Sequence, residues 1–290
     1  MAGNQDEAGP SNTQNVIADG VNFPRSELQK ADELRQYYEV ESQSQPLTVS
    51  EQEGQRLVRE VMRLMLMRQH SKPDVPVKRA ELSTLINANY KNSKQRNLGA
   101  QIIPLAQYRF AEIFGLEMKE VKMTSLGAAA ASNKDDGQKS YVLRSMLPAA
   151  VREAFVTPPA ADNNRAFCMT VLSLLQLADN NRLSEEDLWA KLDELGLKRA
   201  KEDGRNREEH PVFGRPEEEL SKMLQKRYLL AKKEKLSDGG SVMTYFMGDN
   251  ALDEIGKRPL EAFLDEMFTA PIERPAEEED EEDLVELNDD

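Results

Sequence analysis

The sequence predicts a mainly α protein with small β hairpins, arranged as two similar domains between disordered tails. The stretch from Pro76 to Leu147 has the order helix, helix, strand, loop, strand, and one more helix precedes it. A second copy of this order follows. Three helices closed by a two-stranded hairpin form a winged helix, and 290 residues suffice for two such domains with a core each. The predicted fold is therefore a tandem winged helix.

The domain boundaries follow from composition. We predict a disordered leader over 1–49, a first winged helix over 50–147, a linker over 148–162, a second winged helix with a C-terminal helix over 163–270, and an acidic disordered tail over 271–290. The leader is polar and lacks sustained apolar periodicity, so it cannot bury enough apolar surface to offset the entropy of ordering. Within it we expect one short helix over Ser26–Val40.

The first helix of the first domain begins at a capping box. Ser50 is followed three residues later by Glu53, and each side chain of this motif bonds a backbone N–H that the first turn leaves unpaired. The helix then has an apolar band wider than one core face needs: Leu57, Val58, Val61, Met62, Leu64, Met65 and Leu66. Either the whole band packs under neighbouring helices, or part of it docks a partner, since unbranched Met side chains adapt to varied surfaces.

The rest of the first domain follows from breakers and periodicity. The helix ends before Pro76, which cannot continue it. Apolar residues then recur at helical spacing in two further helices, and Gly115 ends the second of them. A half-buried strand around Val121, a polar loop over Ser125–Ser140 and a partner strand over Tyr141–Leu147 complete the domain. The loop before the third helix commonly approaches DNA in winged helices, and here it contains Lys91, Lys94 and Arg96.

The second copy begins after a linker closed by two prolines. A nearly all-round apolar helix centred on Leu172 should be central to its core. Ser184 opens the next helix and Gly196 ends it, with Trp189 as a core anchor. A third helix, two strands joined by a tight turn, and a short amphipathic helix over Pro259–Phe268 follow.

The third helix and wing of this second copy contain the main basic cluster. Lys222 and Lys226 are four residues apart and therefore share the exposed side of the helix. Further lysines follow at the base of the wing. Helix and wing together form the side that a winged helix usually presents to DNA, so the predicted DNA contacts here are Lys222, Lys226, Arg227, Lys232, Lys233 and Lys235.

The net charge of −14 is unevenly distributed. Residues 276–290 hold ten acidic and no basic residues, whereas residues 53–147 hold sixteen basic against nine acidic. The first folded domain is therefore basic, which permits contact with nucleic acid despite the low overall pI. Residues 148–275 have a net charge of −5, which argues against DNA contacts in the second domain.

The sequence has no catalytic constellation. It lacks a glycine-rich phosphate loop, a paired nucleophile and base, and a metal-ligand cluster, so we expect a non-catalytic protein without cofactor or metal. One Cys and two His are too few for the zinc sites of a RING ligase. Cys168 should be an inert buried thiol and His210 a structural hydrogen-bond partner. Without a signal peptide or a membrane-length apolar run, we expect a soluble intracellular protein.

Several motifs, taken in order, resemble the MAGE homology domain family. They are KRAEL, FAEIFGLEMKEV and YVL in the first copy, and HPVFG, EEEL, KRYL and YFMGDNALDEIGK in the second. The resemblance covers about residues 53–257 and implies a tandem winged-helix fold. One motif departs, because the family usually has a Trp-Gly-Pro-Arg-Ala run where this chain has Met247, Gly248, Asp249, Asn250 and Ala251. No surface built from that Trp or Arg is therefore implied.

The chain has one copy of this homology domain and a long acidic tail. This arrangement resembles the MAGE-type subunits of structural maintenance of chromosomes complexes. This implies a nuclear scaffold in DNA repair with three partners: a RING-type ubiquitin ligase, a kleisin subunit, and duplex DNA without strong sequence preference. The implied contacts of the RING partner lie on the first helix, at Leu57, Val58, Val61, Leu64 and Met65. Those of the kleisin lie on the second domain, at Phe213, Leu224 and Tyr228.

Two other functions stay open at this point. A sequence-specific winged-helix transcription regulator would contact base edges and discriminate strongly between DNA sequences. A MAGE adaptor that directs a ubiquitin ligase to its substrates would have no DNA role. Removing the charges at Lys222, Lys226, Lys232 and Lys233 would then leave its function intact.

Overall fold

The computed structural model describes residues 15–18, 21–90, 97–124, 138–156, 161–199, 210–235 and 240–269. Before the first domain lie a hairpin and a long helix: β1 (Asn15–Ala18), β2 (Val21–Pro24) and α1 (Arg25–Gln43). The first domain consists of α2 (Glu51–Ser71), β3 (Val77–Lys78), α3 (Arg79–Asn89), α4 (Leu98–Arg109), β4 (Leu116–Met123) and β5 (Gln138–Ser145). The architecture is therefore mainly helical with small antiparallel sheets, as predicted.

The second domain repeats this order after a short linking helix, α5 (Ala149–Phe155). It consists of α6 (Ala161–Leu177), β6 (Arg182–Ser184), α7 (Glu185–Glu194), α8 (Pro216–Gln225), β7 (Leu229–Lys235) and β8 (Ser241–Met247). Two more helices complete the described part: α9 (Asp249–Glu254) and α10 (Lys257–Thr269). Among the described residues, no helix combines the length and the apolar character needed to cross a bilayer.

Each domain has a three-stranded antiparallel sheet beside its helices. The orders are β3-β5-β4 and β6-β8-β7, so in both domains the last strand is central. One outer strand of each sheet is very short: β3 has two residues and β6 has three, and each directly precedes a helix. Such short segments give no periodic signal, which is why the sequence predicted two strands in each sheet and not three.

The Ser50 half of the capping box is confirmed, whereas the carboxylate of Glu53 pairs with Arg56. The Ser50 hydroxyl accepts a hydrogen bond from the backbone N–H of Glu53 at 3.3 Å and begins α2. Ser184 caps α7 in the same way, accepting from the N–H of Asp187 at 3.0 Å. Gly115 is also confirmed as a helix end, since its φ of +59° lies in the left-handed region that glycine enters without steric cost.

The third helix of the first domain differs from the prediction in its interior. Proline is expected in the first turn of a helix, but α4 begins at Leu98 and has Pro104 in its middle. The chain then continues as a π-helical turn over Phe110–Phe114. Because proline has no N–H, one backbone bond of α4 is missing. The π turn nevertheless buries Phe110 completely in the core.

The predicted disordered leader contains a packed helix. α1 lies against α4 and extends three residues beyond the short helix expected to end at Val40. Tyr38 is 5% exposed, and its hydroxyl donates to Glu117 Oε1 at 3.1 Å. A carboxylate of α1 also accepts from the linker, where the N–H of Ala149 lies 3.1 Å from Glu27 Oε2. At least this part of the leader therefore belongs to the folded first domain.

The second core has the predicted centre. Leu172 is fully buried in α6, and Trp189 lies in the same cluster. Cys168 faces this core, and its burial raises the pKa of the thiol to about 12. The thiolate needed for nucleophilic chemistry is therefore negligible near neutral pH, and the prediction of an inert thiol is confirmed.

Candidate functional site

The wing of the first domain is buried on both faces of its sheet. Met118 and Leu143 point to the helical core, while Val121 and Val142, which alternate with them, are also buried. Helix α9 of the second domain packs against β4, and Lys119 Nζ lies 2.7 Å from Asp253 Oδ1 across the contact. We call this contact the interdomain joint.

One side of the joint is built around Asp249 at the start of α9. Its carboxylate accepts from the backbone N–H of Thr124 at 2.9 Å and from the Thr124 hydroxyl at 2.6 Å. It also accepts from Arg227 Nη2 at 2.6 Å, and the same nitrogen donates to the carbonyl of Thr124 at 2.8 Å. Burial alone would raise the pKa of Asp249, but the hydrogen bonds from Thr124 and Arg227 outweigh it and hold this pKa below its ordinary value. The carboxylate is therefore charged at neutral pH.

The residues beside Asp249 are equally constrained. A Cβ on Gly248 would lie 2.0 Å from the carbonyl oxygen of Arg227, so the two backbone segments can approach only because this residue is glycine. The side chain of Asn250 is buried and donates from Nδ2 to the carbonyls of Lys226 and Asp74, at 2.6 and 3.3 Å. Gly248, Asp249 and Asn250 all lie in the motif that departs from the family pattern.

The other side of the joint is an ion-pair network. Asp74, in the turn after α2, lies 3.3 Å from Lys226 Nζ and 3.8 Å from Arg144 Nη1. Arg144 also pairs with Glu254 at 2.6 Å, and Glu254 accepts a hydrogen bond from the hydroxyl of Tyr228. Burial and the charge of Glu254 raise the pKa of Tyr228, so its hydroxyl stays protonated. Residues from both domains thus satisfy one another's charges.

This geometry divides the predicted DNA contacts. Lys226 and Arg227 are partners in the joint, with side chains that are largely covered. Lys222 is exposed and pairs with Glu219 at 2.5 Å, and Lys232 pairs with Glu234 at 3.4 Å.

Of the remaining predicted DNA contacts, two are described by the structure and three are not. Lys233 and Lys235 are exposed on β7 and make no ion pair with any described residue. Lys91, Lys94 and Arg96 lie outside the described residues.

The predicted RING-partner contacts are not on the surface. Leu57, Val58, Val61 and Met65 are buried in the first core, and Leu64 is half-buried against it. The reason is that α2 has α3 and α4 as neighbours, while Leu47 and Val49 pack against the same core beside Gly54. Most of the wide apolar band is therefore internal. This corrects the docking interpretation for Leu57, Val58, Val61 and Met65, while a partner contact at the half-buried Leu64 stays a prediction.

Of the predicted kleisin contacts, Phe213 lies beside His210, and Tyr228 lies in the interdomain joint. Phe213 and Leu224 are half-buried against the second core, whereas Tyr228 belongs to the joint. His210 Nδ1 accepts from the N–H groups of Val212 and Phe213, both at 3.2 Å. The structural role of His210 is confirmed. Within the described ranges, no group of three His, Cys, Asp or Glu side chains could hold a metal ion.

Sequence reasoning missed Thr124, Gly248, Asp249 and Asn250 as residues that join the domains. Thr124 lies 125 positions from Asp249, so no local pattern links them. The one available signal was the departure at Met247–Ala251, since a replaced motif at one place indicates a changed contact there.

Comparison with known proteins gives three findings. A family model described as the MAGE homology domain matches residues 61–258. A chain of a solved structure described as "Nse1-Nse3-Nse4 complex" is similar in fold, with a TM-score of 0.57 and 19% sequence identity over 77% of this chain and 94% of that chain. No curated protein matches this sequence.

Proposed function

The chain belongs to the MAGE homology domain family, and on this basis we propose that it is a non-catalytic scaffold subunit of a structural maintenance of chromosomes 5 and 6 complex, similar to non-SMC element 3. The proposal rests on one observation: the family match runs through both winged helices and the joint between them. The name of the structural neighbour supports the same assignment.

The proposed partners are a RING-type ubiquitin ligase subunit of the non-SMC element 1 type and a kleisin subunit of the non-SMC element 4 type. The solved complex that this fold resembles is described by the names Nse1 and Nse4, for these two types, together with Nse3. Phe213 and Leu224 remain candidates for the kleisin, together with the exposed Val212 beside them. The RING partner needs exposed residues of the first domain, because most of the apolar band of α2 is internal.

The proposed third partner is duplex DNA, bound without strong sequence preference in DNA repair and chromosome maintenance within the nucleus. Lys233 and Lys235 support this, because both are exposed and, among the described residues, have no carboxylate partner that a phosphate oxygen would have to displace. Lys222 and Lys232 are exposed nearby in sequence and would exchange one carboxylate partner each for a phosphate. Contacts to phosphates add affinity but read no sequence.

The scaffold proposal is tested by purifying the tagged protein from its own nuclei at moderate salt with nuclease added, and identifying co-purified proteins by mass spectrometry. Recovery of a RING protein, a kleisin and large coiled-coil ATPases is the expected result. Recovery of transcription machinery in their place would overturn the assignment and favour the regulator. Recovery of a ligase alone, without kleisin or ATPases, would favour a MAGE adaptor.

The DNA proposal is tested separately by a salt titration of binding to a duplex of random sequence. If about four phosphates are contacted, log K should fall with log salt at a slope of about −3.6. The Lys233→Ala/Lys235→Ala variant should lower this slope to about −1.8, because two contacts are removed. Lys191→Ala removes an exposed charge on α7 and should leave the slope unchanged. A parent slope near zero would exclude DNA binding while leaving the protein partners intact.

A further inference from the structure

The outward face of α2 is an uninterrupted row of long side chains. Positions at intervals of three and four along a helix share one face, and on this face of α2 every residue is exposed. We call this row the arginine stripe; its members are Gln52, Arg56, Arg59, Arg63, Met67 and His70. It lies opposite the buried apolar band of the same helix.

The charges of the stripe are largely unsatisfied. Arg56 is held by Glu53, through two hydrogen bonds of 2.7 and 3.2 Å. Arg59 and Arg63 have no ion-pair partner in the part of the chain that the structure describes. Met67, one turn further along, is 62% exposed. The stripe therefore presents guanidinium groups next to an exposed thioether, with no carboxylate among its own members.

A matching segment occurs in this chain. Residues 276–290 contain ten carboxylates and no basic residue, with Leu284, Val285 and Leu287 among them. Carboxylates are the anions that guanidinium groups bind in bidentate geometry, and aliphatic side chains fit the adaptable surface of an exposed Met. The lysines of β7 suit this segment less well, because an ammonium group is a point charge and cannot bind a carboxylate in the bidentate geometry of a guanidinium group.

We propose that the acidic segment 276–290 docks on the arginine stripe of its own chain. The connection is long enough. Fifteen residues separate Thr269, at the end of α10, from Leu284, and an extended chain of that length spans about 50 Å. A compact protein of 290 residues has a radius of gyration of about 19 Å, so the extended connection is comparable in length with the diameter of the molecule.

The docked segment covers the outside of α2 and neutralises the arginine stripe. The contact is electrostatic and exposed, so it weakens as salt screens the charges. It does not depend on the proposed scaffold function, since both partners in the contact belong to this chain.

The test uses the full chain with two spin labels, one at Gln55→Cys beside the stripe and one at Asn288→Cys in the acidic segment. Pulsed electron paramagnetic resonance measures the distance between the labels. Cys168 is buried with a protonated thiol and stays unlabelled. A short, narrow distance distribution is expected at low salt. It should be lost at about 1 M salt, where the screening length falls to about 3 Å.

Variants identify the docking surface. Arg59→Glu/Arg63→Glu should abolish the short distance, and adding Glu281→Lys/Glu282→Lys to that variant should restore it, because the charges are then exchanged. The matched control Lys233→Glu/Lys235→Glu should leave it intact. Three results would overturn the proposal: no short distance in the parent, a short distance that survives the arginine reversal, or one lost in the control. A short distance that disappears on dilution with unlabelled protein would also overturn it, by indicating a second copy as the acceptor.

Discussion

Gly248 lies where two backbone segments of the second domain meet, and we predict that Gly248→Ala is strongly destabilising. The added Cβ would lie 2.0 Å from the carbonyl oxygen of Arg227, which is backbone and cannot rotate away. Overpacking of this kind costs about 1–3 kcal/mol and more where backbone must shift, so we expect a loss of about 3 kcal/mol in urea unfolding. Gly99→Ala is the control, because its Cβ would meet only side-chain atoms, the Ser83 hydroxyl at 3.2 Å and Ile103 Cδ1 at 3.9 Å. Equal losses for both variants would contradict this explanation.

Asp249 should make the stability of the joint depend on pH. Its pKa is lowered in the folded protein, so its stabilising contribution is complete above the ordinary aspartate pKa of about 4 and is lost as pH falls through the lowered value. Asp249→Asn removes the charge that Arg227 pairs with, and leaving such a partner unpaired costs about 1–3 kcal/mol near neutral pH. Because protonated Asp resembles Asn, the difference in unfolding free energy between parent and variant should shrink below about pH 4. A difference that stays constant with pH would contradict the assigned role.

At the residue scale, sequence reasoning succeeded where chemistry is local and failed where it is not. The Ser50 cap, the Gly115 helix end and the inert Cys168 each follow from the residue and its immediate neighbours. The roles of Lys226 and Arg227 depend on Asp74 and Thr124, more than a hundred positions away. Two lysines or arginines look alike in sequence whether their partner is a phosphate or a carboxylate of the other domain.

At the scale of the element, α1 should be a stabilising part of the first domain. Tyr38→Ala removes an aromatic side chain that is 5% exposed, and such truncations cost about 3–5 kcal/mol. Tyr37→Ala is the matched control at the next position, where the ring is 58% exposed and meets Tyr38 only at its edge. We expect less than about 1 kcal/mol for the control. Urea unfolding measures both, and similar small losses would mean that α1 does not pack on α4 in solution.

The error over α1 has a physical cause. The helix is mostly polar, and it is held by one buried tyrosine, by its contact with α4 and by a hydrogen bond from the linker. Compositional reasoning weighs the average polarity of a segment and therefore misses an element anchored at a few points. The opposite case is α2, whose sequence shows a broad apolar band. The structure places most of that band in the first core, with Leu64 and Leu66 half-buried against it.

At the scale of the whole molecule, the joint should make the two domains unfold together. Asn250 donates to carbonyls of both domains from a buried position, so Asn250→Ala leaves two carbonyls without this donor. Calorimetry of the parent should show one cooperative transition, and the variant should show two. Asn89→Ala is the control, since it removes a side-chain hydrogen bond to Leu85 within the first domain only. Two transitions in the parent itself would show that the joint is too weak to couple the domains.

The tandem architecture could be predicted because it repeats one local pattern twice, but the way the copies meet could not. Periodicity reports which face of an element is apolar, and β4 has apolar residues on both faces. That second face is covered by α9. A strand that is buried on both faces therefore shows only an imperfect alternation of apolar and polar residues in the sequence.

Because α9 covers the wing of the first domain, the two domains are connected rigidly. A load applied by a partner on one domain is transmitted to the other through paired charges and packed side chains on both sides of the sheet. Two partners held on opposite domains keep a fixed distance and angle without any conformational signal passing between them. The geometry of an assembly built on this chain would then be set by α9, which follows β8 after the single residue Gly248, as much as by the partners themselves.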